Sequence, residues 1–463
     1  MLRLSRFSWT PLSARRIVAA ACLGVVCLFA PIASGQDATP EAQQPYRRIP
    51  VDTKVDRELK AAVVTEMLPK GFKPGDEAKF DQYYQKAVFP AWTNTDDWSE
   101  PRRNPRQALV NNFRQAKRGP AYDRLNNLAM EQMVEFANGH YHPVVRYNAM
   151  LLIGELSEAE PAVGQTAKPL PRALPVLLGA YEKADTPDSV RLAALHGILR
   201  HYQDGSPNAE TRKKIHDLLL ALAAMRDVPN GRSKEAHAWF RRLAIESLGR
   251  IGSPDEQGVV AKTVVSVLSE DDAPRSVRAE AASALGRLQL TAETVGETDI
   301  AVKALGQLAV DACQDEIALC EKKPERLVNA RKVMGDLVPI RIALTGSDKK
   351  IDRPPYKGIL GLATESPNGQ TGLAVLREVE RLLDRKVLDR DELAPQSDKA
   401  KKNEPDPTAM LGAGVGGPEG YGLGPDGLGG MPTVVDPAKA ASAEVIEELK
   451  KAVVEFRRIV AGG

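Results

Sequence analysis

Cysteine and aromatic residues are scarce in this 463-residue chain. Of its four cysteines, Cys22 and Cys27 lie in an N-terminal apolar segment, so the rest of the chain can form at most one disulfide. Aromatic residues make up 5% of the sequence, with four tryptophans, which argues against an aromatic-rich β-sandwich or a sugar-binding cleft. The 63 basic and 61 acidic residues nearly balance, and this excludes nucleic-acid binding driven by bulk charge.

The sequence also lacks the common catalytic and metal-binding motifs. It contains no His-Glu-x-x-His, Gly-x-Ser-x-Gly or Cys-x-x-Cys. His140 and His142 form the only close histidine pair, and a metal site there would need a third ligand from elsewhere in the chain. His196 and His201 are five residues apart, so their side chains diverge on a helix. We therefore predict no catalytic residue, no metal and no cofactor.

Residues 1–35 have the order of features that is typical of a secretory signal peptide. Four arginines precede an apolar run over 17–32, and small residues follow at 33–35. The run is shorter than the ~20 apolar residues of a transmembrane helix, and no other stretch approaches that length. We predict cleavage before Gln36 and an exported protein, periplasmic or secreted, with no membrane span in the mature chain. A retained N-terminal anchor and a lipoprotein that starts at Cys22 are the alternatives.

The central part of the chain, residues 121–345, contains an internal repeat. An apolar residue followed by arginine, then an alanine, then a Leu/Ile-Gly step recurs from positions 145, 190, 240 and 277, and a fifth copy from 326 keeps the end of the pattern. Spacings of 37 to 50 residues each hold two helices and two turns. The repeated arginines are Arg146, Arg191, Arg241 and Arg278; the alanines are Ala149, Ala194, Ala244, Ala281 and Ala330; the glycines are Gly154, Gly249, Gly286 and Gly335.

The small residues of the repeat have a packing role in this interpretation. Apolar, alanine and apolar residues at steps of four, four and three lie along one stripe of a helix. Alanine and glycine on this stripe let a neighbouring helix approach closely, whereas a glycine inside a helix otherwise costs ~1 kcal/mol. A second amphipathic helix precedes each stripe, and helix breakers such as Gly139, Pro187 and Pro274 separate the two.

This pattern, Pro-x-(x)-Val-Arg-x-x-Ala followed by Leu/Ile-Gly-x-Leu, resembles the HEAT-repeat family, including the HEAT-like repeats of the phycobilin-lyase type. The resemblance covers about half of the chain and implies an all-α fold, an α-solenoid of about five helix pairs. Two positions depart from the pattern, since Leu199 replaces the glycine of the second copy and Leu327 the arginine of the fifth. Because packing defines this family, the resemblance implies no specific activity.

The repeated arginines would lie in the first turn of a helix, where a cation opposes the helix macrodipole. Acidic residues in the loops can offset this effect and link neighbouring repeats. The candidates are Asp185, Asp188, Asp271 and Asp272. The resemblance implies such a ladder of ion pairs, and the alternative interpretation is a row of anion-binding sites.

Further segments flank the repeats. Residues 36–120 form an N-terminal helical capping region, in which the polar stretch 36–52 is predicted to be flexible and helices are predicted near 53–68, 76–90 and 104–117. After the repeats come a C-terminal helical extension (346–389), a flexible charged and Gly-rich linker (390–436) and an amphipathic helix (437–463). That last helix either docks on the repeats or binds a partner.

Cys313 and Cys320 are the two cysteines outside the N-terminal segment. On a continuous helix their Cα atoms would lie ~10.5 Å apart, beyond the ~7 Å that a disulfide spans. The thiols are therefore unbridged if the helix is continuous, and a bridge there requires the helix to break.

These features favour an exported, non-catalytic scaffold for protein–protein interactions, built on HEAT-like repeats. Stacked helix pairs offer a long surface to a protein partner, which the sequence does not identify, and nothing indicates a nucleic-acid partner. The alternative is an enzyme, or an enzyme-associated subunit, whose site lies in residues 53–120.

Overall fold

The computed structural model describes residues 45–97, 104–162, 164–255, 257–291, 293, 298–350, 357–363, 366–384, 386–388 and 437–462. The predicted signal peptide and the predicted linker over 390–436 lie outside these ranges. Within them the regular structure is helical, and an isolated bridge between Ser157 and Pro169 is the only β pairing, which confirms the all-α prediction. No helix in the described ranges is both long and apolar enough to cross a bilayer.

Three helices precede the repeats. They are α1 (Thr53–Ala61, continued by the π-helical Ala62–Met67 and by Leu68–Lys70), α2 (Asp76–Tyr83, continued by the π-helical Tyr84–Val88 and by Phe89–Trp92) and α3 (Pro105–Ala116). Their aromatic residues form a core, because Phe80, Tyr84, Phe89 and Trp92 have no exposed surface. The aromatic residues around Trp92 are thus packed inside this region.

The stretch that leads into α1 is held in place from Arg47 onward, so the predicted flexibility of 36–52 is wrong for this part. The Arg47 amide donates to His140 O at 2.9 Å, and the Ile49 amide donates to Thr93 Oγ1 at 2.8 Å. The chain runs extended there and uses its backbone hydrogen-bonding groups on the neighbouring helices and loops.

Ten helices then form five consecutive pairs, and the two helices of each pair pack against each other. The pairs are α4 (Pro120–Asn138) with α5 (Pro143–Glu155), α6 (Ala173–Glu182) with α7 (Asp188–Asp204), α8 (Ala209–Ala224) with α9 (Lys234–Ile251), α10 (Val259–Leu268) with α11 (Arg275–Arg287), and α12 (Thr298–Lys322) with α13 (Ala330–Thr345). The breakers act as predicted, since Pro187 and Pro274 directly precede α7 and α11.

Consecutive second helices also contact each other side by side, and at three interfaces glycine sets the distance between them. The glycines and the residues opposite them are Gly154 with Gly197, Gly249 with Ala284, and Gly286 with Ile342. At the first two, an added Cβ would lie 2.7 Å from the opposite Cα atom, and at the third it would overlap a backbone carbonyl. The backbones of α5 and α7, of α9 and α11, and of α11 and α13 are therefore in direct contact.

The fourth interface, between α7 and α9, is different. Leu199 stands where the other copies have glycine, and the residue at the opposing position of α9 is Ser247. Helices α7 and α9 contact each other over a much shorter stretch than the other three neighbours do. A leucine side chain holds the two backbones apart where glycine would let them touch.

The register predicted for the fifth copy is wrong. Gly335 is exposed and has no atom within 4 Å of an added Cβ, so it sets no close helix contact. The contact with Gly286 is instead made by Ile342, near the end of α13. The physical reason is that Arg326 is held in the loop before α13 by buried Glu316, at 2.8 Å, and Ala330 only begins the helix.

Helices α14 (Leu360–Ala363), α15 (Pro367–Leu382) and α16 (Pro437–Gly462) close the array. Helix α15 packs on α12 and α13, and α16 packs on α12 and α15. The Val328 amide donates to Ser442 Oγ at 2.9 Å, and Arg381 pairs with Glu448 at 2.5 Å. The terminal helix thus docks on the repeats, which decides between the two alternatives left by the sequence.

Cys313 and Cys320 are both free thiols and both buried. They lie on the continuous helix α12, whose geometry keeps them apart. Burial raises the pKa of the Cys313 thiol to about 12, so this thiol stays protonated and unreactive at neutral pH.

Candidate interaction surface

Each of the four repeated arginines donates a hydrogen bond to a backbone carbonyl at the C-terminal end of the first helix of its pair. The bonds are Arg146 Nε to Ala137 O (3.0 Å), Arg191 Nη2 to Lys183 O (2.8 Å), Arg241 Nε to Ala223 O (3.1 Å) and Arg278 Nε to Leu268 O (3.1 Å). The carbonyl end of a helix carries partial negative charge. Each cation is therefore stabilised by the first helix of its pair, which offsets its unfavourable place in the first turn of the second helix.

Two of these arginines also bind an acid from the next pair, although mostly not the acids that the sequence suggested. Arg241 pairs with Glu270 at 2.8 Å and Arg278 with Asp311 at 2.6 Å. Of the predicted acids, Asp188 lies 3.6 Å from the repeated Arg191 of its own helix, and it links two pairs through Arg232, which lies just before α9. Glu270 is used in place of its neighbours Asp271 and Asp272 because only Glu270 is buried at the turn between α10 and α11.

This geometry removes the support for a row of anion-binding sites. The side chains of Arg241 and Arg278 are only 4% and 5% exposed. Their donors are already directed at carbonyl and carboxylate oxygens of the protein. Arg241 and Arg278 are therefore structural, and recognition has to use other residues.

The histidines that the sequence singled out have structural surroundings. His142 caps α5, because its Nδ1 accepts from the Val144 amide at 3.2 Å, and the His140 carbonyl accepts from Arg47. His201 is 3% exposed, and burial lowers the pKa of its imidazole to about 4. In the part of the chain that the structure describes, no three His, Cys, Asp or Glu side chains converge as metal ligands would.

An exposed tryptophan marks the outer face of the second helices. Trp239 on α9 is 50% exposed, and the guanidinium of Arg242 lies over its ring, 5.1 Å from the centroid. The Arg242 Nε atom is itself buried and has no hydrogen-bond partner among the described residues. Tryptophan and arginine dominate the binding energy of many protein interfaces, so this pair is the strongest recognition feature on the face.

Charged side chains of α7, α9 and α11 surround this pair. Glu246 pairs with Arg250 at 2.6 Å, and Arg287 lies 3.6 Å from Glu280. Burial and the nearby Glu246 carboxylate raise the pKa of Glu280. We call the set His196, Trp239, Arg242, Glu246, Arg250, Glu280 and Arg287 the α7–α9–α11 face. It combines an aromatic anchor with charges of both signs, as interfaces with a polar rim do.

Under the alternative hypothesis a catalytic site lies in residues 53–120. This region borders a cavity. Its volume is about 360 Å³, and it lies between α3, the end of α5 and the loop after it. The charged groups there are already paired, with Arg106 bound to Glu155 and Arg200 Nη1 donating to the carbonyls of Gly154 and Leu156. Burial raises the pKa of Tyr122 in this cavity to about 12, so its hydroxyl stays protonated at neutral pH.

Sequence reasoning missed Trp239, although a signal was present. Trp239 directly precedes Phe240-Arg241, whose phenylalanine is the buried apolar residue of the repeat. Neighbouring residues on a helix point about 100° apart, so the residue before a buried position lies toward the outer face. A large aromatic residue at such a position is the feature that pattern analysis should have singled out.

The comparisons with known proteins assign no family to this surface. The chain matches no protein-family model, no curated protein and no solved structure.

Proposed function

We propose that this protein is an exported, non-catalytic scaffold that binds another protein through the α7–α9–α11 face. In this proposal the five helix pairs are HEAT-like repeats of an α-solenoid, with α1–α3 covering one end and α15 and α16 the other. The signal-like sequence of residues 1–35 supports export. Repeat arrays of this kind offer extended surfaces in place of enclosed active sites.

The observation that carries the proposal is the half-exposed Trp239 with Arg242 stacked on it. An isolated tryptophan side chain exposes a large apolar area to water, and burial of that area against a partner is favourable. Arg242 adds a positive charge over the tryptophan ring, 5.1 Å from its centroid. Both features favour contact with a second macromolecule over a purely structural role.

The alternative, an enzyme with a site in residues 53–120, has weaker support. The aromatic residues described in this region are packed in its core, and the charges at its cavity are paired within the protein. No described group there has the nucleophile–base arrangement that acyl or phosphoryl transfer requires.

Site-specific photo-crosslinking tests the proposal. A photoreactive benzoylphenylalanine is placed at position 239, or at position 454 as the control, because Val454 on α16 is also exposed. Each protein is irradiated in the exported fraction of its native cell. We expect a discrete protein adduct from position 239 and none from position 454.

Competition makes the result specific to the surface. Excess unlabelled wild-type protein should abolish the adduct, whereas an excess of the double variant W239A/R242A should not, and an excess of Val454→Ala should compete as the wild type does. The proposal would be contradicted if excess W239A/R242A abolished the adduct as completely as excess wild-type protein does. It would also be contradicted if no adduct formed at position 239.

A further inference from the structure

The α7–α9 interface breaks the packing rule that the other interfaces follow. In the first, third and fourth copies a glycine nine residues after the first repeat position meets a small residue or a backbone group of the next second helix. At α7–α9 the corresponding pair is Leu199 and Ser247. Both residues are buried, yet both line a cavity of about 210 Å³ between the two helices. The two helices therefore contact each other only over a short stretch, and an open cavity lies between them.

A second cavity lies on the opposite side of the same junction. Its volume is about 560 Å³, and it is lined by α6, by the end of α7 and by the start of α8, including Leu178, His201 and Thr211. Pairs two and three thus have unfilled space between their first helices as well as between their second helices. Both cavities open to solvent, so side chains of the two pairs that would face each other in a close interface face water here. Together with the short contact between α7 and α9, this leaves the junction with less packing to hold it than its neighbours have.

Ion pairs hold one edge of the junction. Arg232, just before α9, donates to both carboxylate oxygens of Asp188 at the start of α7, each at 2.8 Å, and its guanidinium lies 4.1 Å from the Phe240 ring centroid. Lys214 of α8 lies 2.6 Å from Glu182 at the end of α6. The Asp188–Arg232 contact fixes the junction near the start of α7, whereas Glu182 and Lys214 line the larger cavity.

We propose that the junction between the second and third helix pairs is a hinge. Helices α1–α7 and helices α8–α16 move as two packed blocks about the Asp188–Arg232 pair, and the short connection 205–208 accommodates the change. The motion alters the spacing of α7 and α9, and with it the shape of the α7–α9–α11 face. The hinge follows from packing alone and stands whether or not that face binds a protein.

Distance measurements between pairs of spin labels test the hinge in the full chain. Cys22 and Cys27 are changed to serine, and Cys313 and Cys320 stay because they are buried. One label pair, at Gln203→Cys and Arg287→Cys, spans the α7–α9 and α9–α11 interfaces. The control pair, at Arg250→Cys and Gly335→Cys, spans α9–α11 and α11–α13, and all four of these residues are exposed. We expect the distance distribution of the first pair to be at least twice as wide as that of the control pair.

A variant of the ion pair sharpens the test. Arg232→Met removes the contact with Asp188 and should widen the distribution of the first label pair further while it leaves the control pair unchanged. Equal widths for the two label pairs in the otherwise native chain would overturn the proposal, whatever the variant does. If Arg232→Met does not fold, the comparison of the two pairs without it still decides.

Discussion

Helix α9 has two neighbours of opposite character. Toward α11 its Gly249 lets the backbones touch at Ala284, and a buried ion pair, Arg241 with Glu270, links the same two helix pairs. Toward α7 it meets Leu199, and a cavity lies between the helices. The comparison teaches that one side chain at one repeat position decides whether two neighbouring pairs interlock or are held apart.

The two interfaces should differ most when their ion pairs are removed. Arg241→Met leaves the 3%-exposed Glu270 with only Arg226, whose side chain is largely exposed, and should lower the free energy of unfolding by about 3–5 kcal/mol. Arg232→Met leaves Asp188, which is 30% exposed and can be hydrated, and should cost about half as much. Urea unfolding at pH 7 measures both values. Equal losses in the free energy of unfolding for the two variants would mean that the two interfaces are equally buried.

The glycines of the close interfaces are the next test. Gly286→Ala places a methyl group against the Ile342 carbonyl and should destabilise the protein by about 3 kcal/mol, the upper range for overpacking. The matched control is Gly335→Ala, on the exposed side of α13, which should be neutral or stabilise by up to about 1 kcal/mol. Thermal unfolding of the two variants checks the pair. A harmless Gly286→Ala would refute the backbone contact.

Stability against pH tests the open interface through His201, which lines its larger cavity. The pKa of His201 in the folded state, about 4, lies below the ordinary histidine value of 6.5, so the unfolded state binds more protons between these values. Stability should be full above pH 6.5 and fall by roughly 2–3 kcal/mol as the pH decreases toward 4. His201→Gln should remove this part of the dependence in urea titrations at pH 4.5 to 7. An unchanged slope would mean that the imidazole is already hydrated through the cavity.

The smallest effect is expected on the outer face. Trp239→Ala should change the free energy of unfolding by no more than about 0.5 kcal/mol, since the side chain is half exposed and packs mainly on Arg242. Thermal unfolding measures this value. A loss of about 2 kcal/mol or more would show that Trp239 belongs to the core and that the adduct expected at position 239 needs another explanation.

Much of the fold was predictable because it depends on local patterns. Helix breakers such as Pro187 and Pro274 marked the starts of second helices, and the glycines at 154, 249 and 286 marked the close interfaces. Helical periodicity and steric size act within one turn or one contact, so the sequence displays them directly.

The failures have one physical cause, which is competition between distant groups. Position 326 is the first repeat position of the fifth copy and is helical in the other copies, but Glu316 of the preceding helix holds Arg326 in the loop, and the register of the fifth copy shifts. Glu270 rather than Asp271 binds Arg241 because burial at the turn selects it. Neither choice is encoded in the spacing of the repeat.

The docking of α16 was left open by the sequence for a similar reason. An amphipathic helix has to cover its apolar face, but its sequence does not say with what. The structure supplies the acceptor, since α12 presents Gly306 where Val460 of α16 packs. The departure at Leu199, by contrast, is visible in the sequence. Its consequence, a cavity that Leu199 and Ser247 both line, is visible only in the structure.

Hydrogen exchange followed by mass spectrometry at increasing urea concentrations tests the central claim most directly, namely that the array consists of two blocks joined at the α7–α9 interface. The account predicts two cooperative units of different stability, with peptides from α4–α7 opening together and peptides from α8–α13 opening together. The boundary should fall between residues 204 and 209. One common unfolding step for all peptides, or a boundary at the α9–α11 interface, would contradict it.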